Sequence, residues 1–111
     1  MKISARHRDN VTILDAKGKI TIGVGDVALR EAVHEALNAG ARNVLINLAD
    51  VATIDSSGIG ELVSTYTTVT NRGGKLKLLG MPAKIADLMQ VTQLITVFET
   101  FDDEDEAVHS F

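Results

Sequence analysis

The sequence contains no cysteine, no tryptophan and a single proline, and only 4% of its 111 residues are aromatic. Without cysteine the chain has no thiolate metal site, no disulfide framework and no cysteine nucleophile. Its 11 Lys and Arg residues are outnumbered by 15 Asp and Glu residues, which gives a net charge of -4. A chain of this composition lacks the basic surface and the stacking rings with which proteins bind nucleic acid.

Long apolar runs are also missing. No segment approaches the ~18 consecutive apolar residues that span a bilayer, and the first 20 residues lack the apolar core of a signal peptide. We therefore expect a cytoplasmic protein without membrane insertion. The length and the 45% hydrophobic content are typical of one packed domain, which we place at residues 1–111.

The first half of the chain alternates extended and helical patterns. Apolar alternation around the turn signal Asp9-Asn10 predicts an opening hairpin, followed by a further extended stretch at Lys19–Ile22. Apolar residues then recur at helical spacing, which predicts an amphipathic helix over Asp26–Ala39 that ends at Gly40. Val44–Leu48 is a nearly continuous apolar run, the form expected of a strand buried in the middle of a sheet.

The second half continues this alternation. The spacing predicts a helix over Ser57–Asn71, a strand over Lys75–Leu79 and a helix that starts near Pro82. A last strand is predicted at Ile95–Glu99, and the acids of Asp103–Glu106 are typical of the start of a terminal helix. Alternating strands and short-loop helices indicate parallel βαβ units, here attached to an antiparallel hairpin. The fold class is therefore α/β with a mixed sheet.

Two chemistries typical of enzymes find little support. Gly23–Ala28 matches the G-x-G-x-x-A dinucleotide fingerprint, but the chain is too short for two nucleotide-binding halves, and Asp26 would repel a pyrophosphate. We interpret the segment as the start of a helix. No G-x-S-x-G elbow precedes any serine, and the three histidines lie far apart without metal spacing. A catalytic triad assembled from distant residues stays an alternative, because triads converge in space.

The segment Asp55-Ser56-Ser57-Gly58-Ile59-Gly60 follows the predicted buried strand and opens the second helix. In the simpler interpretation Ser56 or Ser57 caps that helix. The same position would suit a phosphate, because backbone N–H groups at a helix start are unpaired and carry the positive end of the helix dipole. Gly58 and Gly60 have no side chains that would shield such a hydroxyl from another molecule. The residues alone leave both interpretations open.

The order of these features resembles the STAS domain family, and within it the stand-alone bacterial anti-sigma factor antagonists. The hairpin, the first helix, the strand ending in Leu48-Ala49-Asp50-Val51, the segment Ile54–Gly60 and Gly73-Gly74 all occur in the family's order, over essentially the whole chain. The resemblance implies a single STAS-like domain, with a mixed sheet, an N-terminal hairpin and about four helices mainly on one face.

The resemblance also implies a partner-switching cycle that regulates transcription. An unphosphorylated antagonist binds an anti-sigma factor that is itself a serine kinase, and this binding releases a sigma factor. Phosphorylation of the serine after the Asp ends the binding, and a metal-dependent phosphatase of the PP2C type restores it. That serine corresponds to Ser56, with Ser57 as its helix-capping neighbour. The domain would then be a substrate of enzymes, with no catalysis, cofactor or metal site of its own.

The implied partner-binding surface consists of Thr21 together with Asp55, Ser56, Ser57, Gly58, Ile59 and Gly60. Many antagonists have an Asp near the position of Thr21, so this difference bears on the identity of the partner rather than on the fold. An alternative from another class is a non-catalytic STAS interaction subunit of a stressosome or of an ABC lipid transporter, in which the serine is structural only. For either role we expect a monomer or a weak dimer.

Overall fold

The computed structural model describes residues 1–111. The chain forms five strands and four α-helices in the order β1 (Lys2–Arg8), β2 (Val11–Ile20), α1 (Gly25–Asn38), β3 (Asn43–Ile54), α2 (Ser56–Asn71), β4 (Lys75–Leu79), α3 (Ala83–Val91), β5 (Thr100–Phe101) and α4 (Glu104–His109). The longest helix, α2, has 16 residues. None of the helices combines the length and the hydropathy that a bilayer crossing requires.

The strands form one mixed sheet in the order β1-β2-β3-β4-β5. β1 and β2 form the predicted antiparallel hairpin, and every other neighbouring pair is parallel. β4 pairs with β3 only along Asn43–Asn47, whereas β2 accompanies β3 to its end, where Ile20 lies opposite Ile54. The two longest strands therefore project together beyond the rest of the sheet and carry the loops that follow them.

Helices cover the two faces of the sheet unequally, as the resemblance to the family implies. A core cluster of 19 buried residues joins α1, α2 and α3 to one face, and a smaller cluster of six joins α4 to the other. In α1 the predicted stripe of Leu29, Val33 and Leu37 is buried to 2% exposure or less. Burying such side chains contributes about 1.5 to 3 kcal/mol each, so hydrophobic burial sets the position of α1 on the sheet.

The acidic start of α4 binds the N-terminal hairpin. Glu104 accepts hydrogen bonds from Arg6 and from Arg8, the latter at 2.7 Å, and Arg6 also donates to Asp15 at 2.6 Å. These arginines lower the pKa of Glu104 to about 2. At the carboxyl end of α4, Lys77 Nζ donates to the backbone carbonyl of Ser110 at 2.8 Å. The last helix is thus held to the sheet by charge as well as by its two buried apolar residues.

The predicted strand at Ile95–Glu99 is wrong. Gln93 adopts a left-handed conformation with φ 61°, and a turn of 3-10 helix follows at Leu94–Thr96. The last strand is only Thr100–Phe101, which pairs with the end of β4. Leu94 and Ile95 still pack against the core. A short apolar run reports burial but does not distinguish a strand from a helical turn.

The second extended stretch predicted at Lys19–Ile22 is part of β2, which runs without a break from Val11 to Ile20. Gly18 has φ +116°, and the register against β3 shifts beside it, so the strand bends rather than ends there. Thr21 and Ile22 lie beyond the strand, in the loop that leads to α1. The helix boundaries differ from the predicted ones by one residue, since α1 begins at Gly25 and α2 at Ser56.

Candidate functional site

The carboxyl ends of β2 and β3 meet the first turns of α1 and α2 at one end of the sheet. Two buried glycines permit this close approach. A Cβ atom on Gly58 would lie 2.1 Å from the carbonyl oxygen of Ile20, and one on Gly25 would lie 2.0 Å from that of Lys19. Because any side chain would collide with the backbone of β2, glycine at these positions brings both helix starts against the end of that strand.

Asp55 caps α2 and also fixes the neighbouring loop. Its Oδ1 accepts from the Gly58 N–H at 2.9 Å, and its Oδ2 accepts from the Ile22 N–H at 3.0 Å. These hydrogen bonds, that of Gly58 foremost, lower the pKa of Asp55, so the carboxylate is charged at neutral pH. One side chain therefore joins the start of α2 to the loop between β2 and α1.

The expectation that Ser56 or Ser57 caps α2 is wrong. Asp55 has the extended backbone of a cap residue, with φ -105° and ψ -175°, whereas both serines already belong to the helix. Asp and Ser are comparably good N-cap residues, so the sequence Asp55-Ser56-Ser57 alone does not determine which of the three caps the helix. In the structure Asp55 is the cap, and its second carboxylate oxygen also accepts from the Ile22 N–H, 33 residues away in sequence.

The loop between β2 and α1 exposes two large apolar side chains. Ile22 is 74% exposed and Val24 is 69% exposed. Asp26 holds this loop from the other side, because its Oδ1 accepts from Gly23 N–H at 3.0 Å. Sequence reasoning missed both apolar residues because Ile22 continues the apolar pattern of the strand. Gly23 and Gly25, on either side of Val24, interrupt the apolar pattern and are the sequence signal that a loop begins here.

The residues predicted for partner binding lie at this end of the sheet, at different depths. Ser56 and Gly60 are exposed on the first turns of α2, and Ser57 is half-buried. Ile59 is 6% exposed and packs in the core, and Gly58 is buried. Thr21 is half-buried, and its carbonyl accepts from Asp26 N–H at 3.1 Å. Ser56 and Gly60 are thus exposed to solvent, whereas the buried Gly58 and Ile59 support the site from the core.

The fingerprint-like segment Gly23–Ala28 has its helix-start donors occupied by the chain itself. The Asp26 carboxylate accepts from Gly23 N–H and, at 2.7 Å, from Val27 N–H. A pyrophosphate bound here would need these N–H groups and would face a carboxylate. The geometry agrees with the interpretation of the segment as a helix start, although α1 is capped at Val24 without a side-chain hydrogen bond.

Behind the exposed serine, one charged pair links the two helices. Glu61 of α2 is 9% exposed, and its Oε1 lies 3.3 Å from Nη1 of Arg30 on α1. That oxygen makes no hydrogen bond. A buried carboxylate needs a compensating charge, so Arg30 helps to hold the first turns of α1 and α2 in register.

Comparison with known proteins identifies the family of this chain. The STAS domain profile matches residues 2–107, nearly the whole chain. This chain belongs to the STAS domain family. Among curated relatives, the anti-sigma-B factor antagonist of Bacillus subtilis is 28% identical over 99 residues, which cover 89% of each chain. A protein of Thermotoga maritima, named as a candidate anti-sigma factor antagonist, is 26% identical over 100 residues, or 90% of this chain and 88% of the relative.

Solved structures share the fold of this STAS domain. The crystal structure of a Thermotoga maritima protein described as a candidate anti-sigma factor antagonist superimposes with a TM-score of 0.88 at 24% identity, over 97% of this chain and 92% of that one. SpoIIAA of Bacillus, an anti-sigma factor antagonist solved in its phosphorylated form, gives a TM-score of 0.75 at 17% identity over 98% of both chains. At these identities the superpositions establish the STAS architecture, including the mixed sheet predicted from sequence.

Proposed function

We propose that this STAS domain is an anti-sigma factor antagonist that works by partner switching at Ser56. In the unphosphorylated state it binds an anti-sigma factor serine kinase, and this binding releases a sigma factor. Phosphorylation of Ser56 ends the binding, and a PP2C-type phosphatase restores it. The chain takes part through binding and as a substrate, without a catalytic reaction of its own. The names of its relatives support the antagonist role.

The position of Ser56 is the observation that carries this proposal. It is the first residue of α2, exposed, and directly follows the charged Asp55. Its hydroxyl is in none of the side-chain hydrogen bonds of the protein, so a kinase can reach it without breaking one. Ser57 is half-buried against the same helix start and is less accessible. We therefore place the modification on Ser56.

The apolar loop beside Ser56 supports a protein partner. Ile22 and Val24 are large, exposed and held in place by Asp55 and Asp26. Preorganised apolar side chains of this kind bury well in the core of an interface, surrounded by a polar rim. The partner surface would then combine an apolar depression for Ile22 and Val24 with a close fit around the small hydroxyl of Ser56.

The charge of a phosphate supports a local switch rather than refolding. Phosphorylation adds about -1.5 to -2 charge at pH 7. At a helix N-terminus such a charge is stabilised by roughly 0.3 to 1 kcal/mol, so the free domain keeps its fold. Pressed against a partner surface fitted to a hydroxyl, the same phosphate loses hydration and is repelled by any carboxylate of the partner that faces it. Each ~1.4 kcal/mol of that cost weakens binding tenfold.

The test incubates the protein with a candidate anti-sigma kinase and Mg-ATP, then maps the phosphate and measures affinity. We expect the phosphate on Ser56, and we expect Ser56→Asp to bind the kinase at least about tenfold more weakly. Ser56→Ala should bind normally and resist phosphorylation. Ser64→Asp is the matched control, because Ser64 is an exposed serine two turns further along the same helix.

Two results would contradict the proposal. A phosphate found only on Ser57 refutes the assigned residue, and unchanged affinity of the phosphorylated protein refutes the switch. Backbone chemical shifts distinguish the mechanism, since a local switch confines changes caused by Ser56→Asp to residues 55–61. Changes spread across the sheet would show that phosphorylation acts through the fold instead.

A further inference from the structure

A hollow in the surface lies at the opposite end of the sheet from Ser56. It has a volume of about 670 Å³ and opens between β1, the start of β2 and the second half of α1. Val11 and Asn43, at the amino ends of β2 and β3, form part of its rim. The hollow lies along the first half of β2, whereas the loops around Ser56 lie at the other end of this strand, beside Ile20. The volume of the hollow falls within the range of small-molecule sites, roughly 300 to 1,000 Å³.

The hollow exists because its walls carry small side chains. Ala32, Ala36 and Ala39 face it from α1, and Ala5 faces it from β1. Larger residues at these positions would fill the space between helix and strand; Ile3, the large apolar residue of β1 that also lines the hollow, packs against the core. The alanines leave an apolar wall that an aromatic or aliphatic body can contact.

A buried polar side chain at this hollow has no partner. Thr12 is 6% exposed and lies on the helix-facing side of β2, opposite His7 of β1. Its hydroxyl makes no hydrogen bond within the protein, whereas the other buried threonine, Thr65, donates to a backbone carbonyl at 3.0 Å. The one fully buried side-chain oxygen without a partner in the protein is Glu61 Oε1, so the Thr12 hydroxyl is in contact with the solvent of the hollow. There it can accept from, or donate to, a bound molecule.

The charges around the hollow favour a cation. Glu35 and Asp9 line it, and neither carboxylate is in an ion pair. The carbonyl end of α1, which carries partial negative charge, forms the same wall. Arg42 and His7 also line the hollow, and the Arg42 guanidinium keeps its positive charge while it donates to the Leu37 and Ala41 carbonyls at 3.4 and 2.7 Å. With histidine counted as neutral, the two carboxylates still leave the lining with a net negative charge.

We propose that this hollow binds a small amphipathic amine, with the apolar body against the alanines of α1 and the ammonium group near Glu35 and Asp9. The Thr12 hydroxyl supplies one further hydrogen bond. The site is separate from the serine switch and does not depend on it. Its occupancy would add a small-molecule input to a domain whose other end binds protein.

The test titrates the isotopically labelled full chain with three probes of similar shape and records backbone amide shifts. The probes are 2-phenylethylammonium, the uncharged 2-phenylethanol and the anionic 3-phenylpropanoate. We expect saturable shifts from the ammonium probe at residues 9–12 and 35–43, with at least about tenfold weaker binding of the anion. Shifts at residues 21–24 and 55–60 should stay unchanged.

Three variants locate the binding. Glu35→Gln should weaken the ammonium probe by about tenfold, whereas Glu31→Gln, an exposed residue of the same helix outside the hollow, should not. Ala36→Phe should abolish binding by filling the hollow. If Ala36→Phe does not fold, Thr12→Val removes the hydroxyl at nearly constant shape and should weaken binding as well.

Equal affinity for all three probes, or no saturable binding by any of them, would overturn the proposal. So would undiminished binding to Glu35→Gln and Thr12→Val together. Shifts at residues 9–12 and 35–43 that depend on protein concentration without any probe would show that a second copy of the chain fills the hollow instead. None of these outcomes bears on the Ser56 switch.

Discussion

Replacing Gly58 by alanine should destabilise the fold, although alanine is ordinarily the better helix residue. The added Cβ would lie 2.1 Å from the Ile20 carbonyl oxygen and 2.6 Å from Ile54 Cγ1. Carbon atoms approach non-bonded neighbours to about 3.5 Å, so the end of β2 or the start of α2 must move by more than about 1 Å. Forcing extra atoms into a packed site costs about 1 to 3 kcal/mol.

Backbone cannot rotate away as a side chain can, so we place the cost near the top of that range. Alanine returns up to about 1 kcal/mol in helix propensity. The net loss is therefore about 2 kcal/mol, or a Tm lower by roughly 8 °C for a domain of this size. Differential scanning calorimetry at pH 7 measures it directly.

Gly60 supplies the matched control two residues further along α2. A Cβ there meets nothing within 4 Å. Gly60→Ala should therefore stabilise the protein by about 0.5 to 1 kcal/mol, through helix propensity alone. The two substitutions are chemically identical and should have opposite signs. A Gly58→Ala variant as stable as the wild type would refute the close approach of α2 to β2 on which the site geometry depends.

The ion pairs of Glu104, the two hydrogen bonds of Asp55 and the glycine segment before α1 each give a further prediction. Glu104→Gln should lower the free energy of unfolding at pH 7 by about 1 kcal/mol after solvent screening. Because the Glu104 pKa is lowered from 4.5 to about 2, the carboxylate contributes its full stabilisation above pH 4.5 and loses it as the pH falls to 2, so thermal melts of the two proteins should converge over that range. Equal melting temperatures at pH 7 would contradict this prediction. Asp55→Asn keeps an acceptor for the Gly58 N–H but cannot serve the Ile22 N–H as well, so amide shifts should change over residues 21–24, and unchanged loop shifts would argue against the link. Calorimetric titration with ATP or NAD should show no binding, and micromolar binding that a Gly25 substitution removes would reopen the dinucleotide interpretation.

Much of the fold follows from patterns that the sequence states locally. The helical spacing of Leu29, Val33 and Leu37 predicts α1, and these residues are buried. The continuous apolar run at Val44–Leu48 predicts a central strand, and β3 lies in the middle of the sheet. The acids of Asp103–Glu106 predict the start of the last helix, and Asp103 caps it by accepting from Glu106 N–H at 2.9 Å. In each case a single period or cap signal determines the local structure.

The sequence-based predictions are wrong where tertiary contacts determine the local structure. Leu94 and Ile95 are apolar enough for a strand, yet a left-handed Gln93 turns them into a helical turn against the core. Asp55 rather than a serine caps α2, and its second oxygen accepts from a distant N–H, that of Ile22. No local pattern encodes a contact across 33 residues.

The sequence predicts where the candidate site lies, but it does not predict which apolar side chains form the surface of the site. The segment from Asp55 to Gly60 does lie where two long strands and two helices meet. The exposure of Ile22 and Val24 depends on the loop conformation that Asp26 and Asp55 impose. An apolar residue after a strand is ordinarily expected inside, and only the three-dimensional arrangement shows these two outside.

The most direct test of the Ser56 switch is phosphate mapping on the protein purified from its own cells at several growth stages. Cleavage after Arg42 and Arg72 releases one peptide, 43–72, which carries both Ser56 and Ser57, and fragmentation distinguishes them. We expect a single phosphate on Ser56, whose fraction varies with growth stage and which disappears on phosphatase treatment. A phosphate confined to Ser57, or a peptide unmodified under every condition, would contradict it.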